Sequence, residues 1–411
     1  MYKLLENGRI LMPDLEIRPG KIIIWDDVIA GVLGPDEMVQ KNCEIIINLE
    51  ERIVFPALIN CHDHLYETFW PRSDAGHFRN WYDWEHDFRE SPVYRQKQNL
   101  SIADLYALGM YRNALSGVGM VVDHFSREVT GTFLGKPLLA LLEHYFLAHS
   151  VSSKALEWGE GIQKEFRQSR GVLPFIIHIE EGFDVDITEE IEVLNRLGAL
   201  AENTVLVNGI GLSDADIELM ATKKASLVWT PESNRHVYHA DAPIGKMMEC
   251  GIPLILGTDS PVKGSINLFE ELRAARAYSR DRLGDKMKPL DLIDMVTRKA
   301  AKVLRVDAQR GTIAENKAAD FLIFEDTKND PIESFFALTP RDVTMMIHKG
   351  ALVFGDESFR SACAFEFNQF SEILVGGRPK LVWGKPLQLL ERISYKLGEP
   401  RTFPFLPITE A

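Results

Sequence analysis

The segment Asn60-Cys61-His62-Asp63-His64 places two histidines two residues apart at the end of an apolar run. On an extended strand, positions i and i+2 project to one face, so His62 and His64 can offer two imidazole nitrogens to one Zn²⁺ or Fe²⁺, at about 2.0–2.1 Å for Zn–N. Taken alone, such a pair is equally an ordinary surface or hydrogen-bonded arrangement, so further donors are needed. Phe175-Ile176-Ile177-His178-Ile179-Glu180-Glu181 supplies one, a strand-like run ending in a histidine with a carboxylate three residues later. His178 is a candidate third ligand and Glu181 a candidate proton carrier; a core histidine beside two solvated acids is the plainer alternative. Pro253-Leu254-Ile255-Leu256-Gly257-Thr258-Asp259-Ser260 repeats the pattern with an acid. A carboxylate at the end of a buried strand is costly unless paired or metal-bound, which makes Asp259 a candidate ligand and proton acceptor, with a helix N-cap as the alternative role.

Four such side chains can share one ion only if the elements that carry them converge. From Pro56 to about Arg305, short apolar runs such as Met120-Val121-Val122 and Val205-Leu206-Val207 alternate with segments of helical period such as Asp214 to Thr222 and Leu268 to Tyr278. This alternation predicts a parallel sheet with crossover helices. Roughly 250 residues is the size of one (β/α)₈ barrel, whose strand C-terminal ends face the mouth. An open doubly wound sheet is the rival, but no GxGxxG follows the first strand. Residues 1–55 read as short strands between turns, and β-like runs return at 311–313, 320–324 and 343–347. The expected architecture is therefore α/β: a TIM-like barrel over 56–305, a small β-sandwich domain built from 1–55 plus 306–355, and a packed, aromatic-rich extension over 356–411.

Other residues are candidates for lining the mouth. His124 follows a strand-like run, as do His236 and His239, with structural or exposed loop roles as their alternatives. The stretch Phe69 to Phe88, which holds His77 and Trp84, suits a lid or substrate wall, or else a packing or dimer surface.

Of the 411 residues, 45% are hydrophobic and 26% charged, a globular rather than disordered balance. A net charge of −14 repels polyphosphate, so a nucleic-acid partner is not expected. The four cysteines contain no CxxC pair, which argues against a cysteine zinc site or disulfide framework and fits a reducing compartment. No signal-like apolar segment or membrane-length run is present, and a cytoplasmic protein is expected.

The order HxH, His, Asp, each at the end of an expected strand, is far more specific than its parts. The chain resembles the amidohydrolase superfamily, within it the branch of cytosine, guanine and S-adenosylhomocysteine deaminases and triazine hydrolases. Pro56-Ala57-Leu58-Ile59-Asn60-Cys61-His62-Asp63-His64 is similar to that family's "PGLINAHTH" segment. The likeness extends to His178 with Glu181, Leu212-Ser213-Asp214, Pro231-Glu232-Ser233-Asn234 and Leu256-Gly257-Thr258-Asp259. Flanking pieces, Asn7-Gly8-Arg9-Ile10, Gly311-Thr312-Ile313-Ala314 and Lys317-Ala318-Ala319-Asp320, look like the family's small β domain, so the resemblance covers residues 1 to about 355.

The resemblance implies one divalent ion, zinc or iron, held by His62, His64, His178 and Asp259, and a small nitrogen-containing substrate whose carbon–nitrogen bond is hydrolysed by deamination or cyclic-amide opening. A metal of this kind lowers the pKa of water to about 7. Asp259 would accept the proton of the attacking water and Glu181 would protonate the departing nitrogen. Similar proteins are often dimers or larger assemblies, which sets a homo-oligomer as the expectation. One departure stands out. Four residues before Leu212, where these enzymes carry a histidine, this chain has Asn208, whose amide donates hydrogen bonds but exchanges no protons. The alternative is thus a degenerate member that binds metal or ligand without turnover.

Overall fold

The computed structural model describes residues 1–411 apart from 74, 75, 77, 153, 155, 157 and 364–366, so His77 lies outside the described residues. Short runs of β-branched and aliphatic residues form β1 (Tyr2–Leu11), β2 (Ile17–Trp25), β3 (Val28–Leu33), β4 (Ile45–Asn48) and β5 (Ile53–Pro56). Eight further strands follow: β6 (Leu58–Asp63), β7 (Val118–Asp123), β8 (Ala140–Leu141), β9 (Phe146–Ser150), β10 (Phe175–Ile179), β11 (Thr204–Asn208), β12 (Ser226–Trp229) and β13 (Leu254–Leu256). The chain ends with β14 (Phe321–Phe324), β15 (Val343–His348), β16 (Ala351–Asp356), β17 (Phe370–Val375), β18 (Arg378–Trp383) and β19 (Ile408–Glu410).

The apolar runs of β6 to β13 are nearly continuous because both faces are covered, as parallel strands under helices require. In β10, Phe175, Ile177 and Ile179 pack into the main core, while Ile176 points the other way. There it meets Ile59, Met120, Leu147, Val205, Val207, Val228 and Ile255 in a separate buried cluster to which seven of the eight strands contribute. His178 shares the Ile176 side by its even spacing. The eight strands form two parallel sheets, β6-β7-β8 and β13-β12-β11-β10-β9. A parallel bridge between Asp63 and Asp259 connects the β6 and β13 sides. Among the described residues no ladder pairs β8 with β9 or β6 with β13, so these parallel strands form two sheets rather than one continuous hydrogen-bonded ring.

Both chain ends enter one eleven-stranded sheet in the order β19-β17-β18-β16-β15-β14-β5-β1-β2-β3, with β4 on β1. Leu5, Ile22, Val54, Phe321, Ile323, Met345, Phe370 and Leu381 from across it meet in one buried cluster. Strands β17 to β19, from the stretch beyond residue 356, extend this sheet at one edge. Only Ala57 separates β5 in this sheet from β6 in the other, and its N–H donates to the Asp320 carbonyl at 3.0 Å. The large sheet therefore grips the strand that carries His62. Among the described residues no helix is long and apolar enough to cross a membrane.

At the far end of β6, Asp63 is fully buried and pairs with Arg112 of the helix Ile102–Ala114. Asn113 Nδ2 donates to it at 2.7 Å and Asn60 Nδ2 at 3.0 Å. Removing one member of a buried ion pair leaves the other charge unpaired, at a cost of about 3–5 kcal/mol. Arg112→Ala should lower the unfolding free energy by about that amount in urea denaturation; a loss below about 1 kcal/mol would mean that the pair does not anchor β6.

Candidate metal centre

The β6 strand ends in a bulge. Asn60 pairs with Val121 and Asp63 with Asp123, so three steps on β6 match two on β7. Bulges re-aim the side chains beside them, and the rings of His62 and His64 meet edge to face with centroids 4.9 Å apart. Gly257, just past β13, permits the closest approach to this strand: a Cβ there would lie 2.6 Å from both the backbone nitrogen and Cβ of His62. Two residues on, the Asp259 N–H donates to the His62 carbonyl at 3.1 Å.

From β10, His178 places its Nε2 3.2 Å from His62 Nε2. Its Nδ1 lies 2.9 Å from the His149 carbonyl, which can only accept, so Nδ1 carries the proton and Nε2 presents its lone pair. Two donors to a tetrahedral ion with bonds of about 2.0–2.1 Å sit roughly 3.3 Å apart, close to the spacing found. Asp259 Oδ1 lies 3.4 Å from His64 Nε2 and accepts from the Ser260 N–H at 2.8 Å. Its Oδ2 accepts from Ser233 Oγ at 2.8 Å and from Lys263 Nζ at 2.9 Å. Glu181 Oε1 accepts from the Tyr238 hydroxyl at 2.7 Å and stands 3.5 Å from the same ammonium. Lys263 also lies over the buried Trp84 indole, 5.1 Å from its ring centre.

Electrostatics follow from this crowding. Burial holds His62, His64, His124 and His178 below the ordinary imidazole range, which keeps them neutral and able to donate lone pairs. Burial opposes ionisation of Asp259 too, but Lys263, then His64 and His62, outweigh it and hold that carboxyl below the usual range. His62 Nδ1, His64 Nε2 and His124 Nε2 are buried without hydrogen-bond partners. Orphaned buried nitrogens are costly unless something occupies them, so the donor set fits a divalent cation. The backbone is strained at the ends of three strands: Glu180, Asn208 and Asp259 have φ of 45°, 72° and 56°, left-handed values that non-glycine residues seldom adopt.

Among the described residues, two triplets bring their ligand atoms within 4.8 Å of one another: His62, His64 and Asp259, and His62, His124 and His178. His62 belongs to both, and His178 groups with His124 rather than with Asp259. Asn208 is fully buried, accepts a hydrogen bond from the Thr230 hydroxyl and keeps an unpartnered Nδ2. His236 and His239 are not brought into the cluster. His236 is drawn to the Ser73 carbonyl at 2.8 Å, and exposed His239 caps the helix Pro231–Tyr238. Sequence reasoning missed Lys263 and His149. A cation four residues after Asp259 was the available signal for Lys263; for His149, in Phe146-Leu147-Ala148-His149-Ser150, it was a histidine near the end of an apolar run.

The Amidohydrolase family model matches residues 174–353. Over 187 residues the chain is 29% identical to a 5-methylthioadenosine/S-adenosylhomocysteine deaminase of Caldanaerobacter subterraneus subsp. tengcongensis, a match covering 43% of each chain. The chain thus spans less than half the length of that relative. Among solved structures, an adenosine deaminase from Xanthomonas campestris with bound zinc is similar in fold, with a TM-score of 0.69 at 16% identity over 85% of this chain and 92% of that one. An atrazine chlorohydrolase from Arthrobacter aurescens TC1 complexed with zinc gives 0.72 at 14% identity over 96% of this chain and 100% of that one.

Glu271 supports the site from behind. Its Oε1 accepts from the Glu232 N–H at 3.1 Å, at the start of the helix that carries Ser233 and Tyr238, while Oε2 is buried without a partner. Burial pushes its carboxyl up to about 8. The folded chain therefore keeps a proton that the unfolded chain has lost, so this stabilising contribution is complete below the usual glutamate value and disappears as pH rises through about 8. Unfolding midpoints measured between pH 5 and 8.5 should fall less steeply with pH in Glu271→Gln than in the wild type; parallel profiles would contradict the protonated state.

Proposed function

We propose that the chain is a member of the amidohydrolase superfamily, whose family model matches residues 174–353, and that it is a metal-dependent hydrolase cleaving a carbon–nitrogen bond of a small nitrogen-containing substrate, by deamination or cyclic-amide opening. The observation that carries the reading is that His62 is shared by two buried donor groups, one with His64 and Asp259 and one with His178 and His124, while Lys263 ties Asp259 to Glu181. We take the cation to be a single zinc ion, as neighbours of similar fold bind zinc. The eight parallel strands are read as a TIM-like barrel over 56–305, the sheet of 1–55 and 306–355 as a separate β domain, and 356–411 as its extension.

A divalent ion held by these donors supplies Lewis acidity, making water acidic enough to serve as a nucleophile near pH 7. The protein's own groups do the remaining work. Asp259 is kept ionised by Lys263 and by the Ser233 and Ser260 donors, and so can accept a proton. Glu181, oriented by Tyr238, is placed to pass a proton to the departing nitrogen, a transfer worth about 10²–10⁴ in rate. Lys263 contacts both carboxylates and ties their positions together. Asn208 Nδ2 is a donor for holding a substrate acceptor atom. The indoles of Trp81 and Trp158, within 4.8 and 4.9 Å of the His149 ring centre, offer flat apolar surface suited to a ring-shaped substrate.

The deaminase among the relatives directs the first screen to adenine nucleosides, followed by aminopyrimidines, triazines and cyclic amides. The purified protein should contain stoichiometric metal and release ammonia from at least one substrate, and a His62→Ala, His64→Ala double variant should lose the metal. Glu181→Gln should lower kcat by about 10²–10⁴ with the metal retained. Metal without any turnover would favour the second reading, a non-catalytic binder, for which Asn208 is the specific motive. A wild type that binds no metal would defeat both.

A further inference from the structure

Glu181 is held at its carboxylate by the Tyr238 hydroxyl and the Lys263 ammonium, both on Oε1. Its direction depends as well on the backbone that delivers it. The preceding residue, Glu180, has the left-handed φ of 45° that a non-glycine residue seldom adopts, so the turn needs support from outside. Three contacts supply it. The Gly211 N–H donates to the Glu180 carbonyl at 2.9 Å, and the Trp81 N–H to the Glu181 carbonyl at 3.0 Å. The Glu180 N–H itself donates to Oε2 of Glu190 at 2.7 Å. Of these three contacts only the last runs through a side chain, so it is the one that a substitution can remove.

The support is reciprocal. Glu190 begins the helix Glu190–Arg196, and the N–H of the next residue, Ile191, donates to Glu180 Oε1 at 3.2 Å. Each carboxyl therefore ties down backbone beside the other, which locks the end of β10 to the start of that helix. Glu180 and Glu190 are both buried, so an N–H that loses its acceptor there finds no water to replace it. Burial also pushes the Glu190 carboxyl up to about 8, so near pH 7 it is mostly the neutral acid, and glutamine matches its shape, charge and accepting oxygen.

Resting on the hydrolase reading above, we propose that Glu190 is a positioning residue for proton transfer: its carboxyl oxygen holds the turn at Glu180 and thereby aims Glu181 at the departing nitrogen. Glu190 acts through the backbone and does not touch the substrate.

The test uses the full-length, metal-loaded protein and a substrate found by the ammonia screen. Glu190→Ala should lower kcat by about 10–100-fold with KM and metal content near the wild-type values, since a misplacement of about 1 Å can cost about a hundredfold in rate. Glu190→Gln should keep kcat near that of the wild type. In a Glu181→Gln background, Glu190→Ala should cost less than about threefold, because the group it aims is already gone. Wild-type kcat in Glu190→Ala would overturn the proposal, as would a Glu190→Gln variant as slow as Glu190→Ala, or equal losses with and without the Glu181 carboxyl. Should Glu190→Ala fail to fold by circular dichroism, Glu190→Met, which fills similar space without an accepting oxygen, decides by the same criteria. A wild type that releases ammonia from no substrate would overturn the hydrolase reading and this role with it, whereas turnover indifferent to Glu190 would remove only the positioning role.

Discussion

One buried carboxylate organises the centre of this protein. Asp63 sits between the two histidines of β6 and is neutralised by Arg112 and hydrogen-bonded by Asn60 and Asn113. Its carbonyl receives the His124 N–H, and its backbone bridges to Asp259. His62, His64, His124 and Asp259 are therefore all referred to one buried residue outside the candidate donor set. A buried charge is tolerable only with such complete compensation, so the network has little latitude, and neither do the imidazoles on either side.

The same logic governs the acids. Asp259 and Glu181 would repel each other in a dry site, yet Lys263 stands between them and the Trp84 ring covers its ammonium. The imidazoles are kept neutral by burial, so lone pairs rather than charges face one another across the cluster. Left-handed backbone at Glu180, Asn208 and Asp259 turns three strand ends sharply at the place where side chains must be delivered. Tertiary packing must hold these turns, since local preference would not.

How much of this was legible depends on how local each signal is. His62 with His64, and His178 with Glu181, stand on short apolar runs whose ends mark where a strand stops, so both type and place were readable. The eight parallel strands follow from the same alternation of apolar runs and helical segments. Lys263 was legible only as a cation four residues after Asp259, because its role exists only once Asp259 and Glu181 are neighbours. His124 was noticed as a pocket residue, but its proximity to His178 depends on how β7 lies relative to β10, which no spacing encodes. His236 and His239 looked alike in sequence and proved to be a helix residue turned to Ser73 and an exposed cap. The β17–β18 hairpin was missed although Gly376-Gly377 between its strands is a turn signal, whereas β19 pairs with β17 across a long stretch of chain that no local pattern spans.

The junction at Ala57 has a further meaning. With one residue between two sheets, there is no slack to absorb a misregistered partner: a slip of β5 against β1 or β14 would drag His62 along the chain axis by the same step. The terminal strands thus act as a gauge block for the buried histidine cluster, since a shift of β5 passes to β6 with only Ala57 between to absorb it.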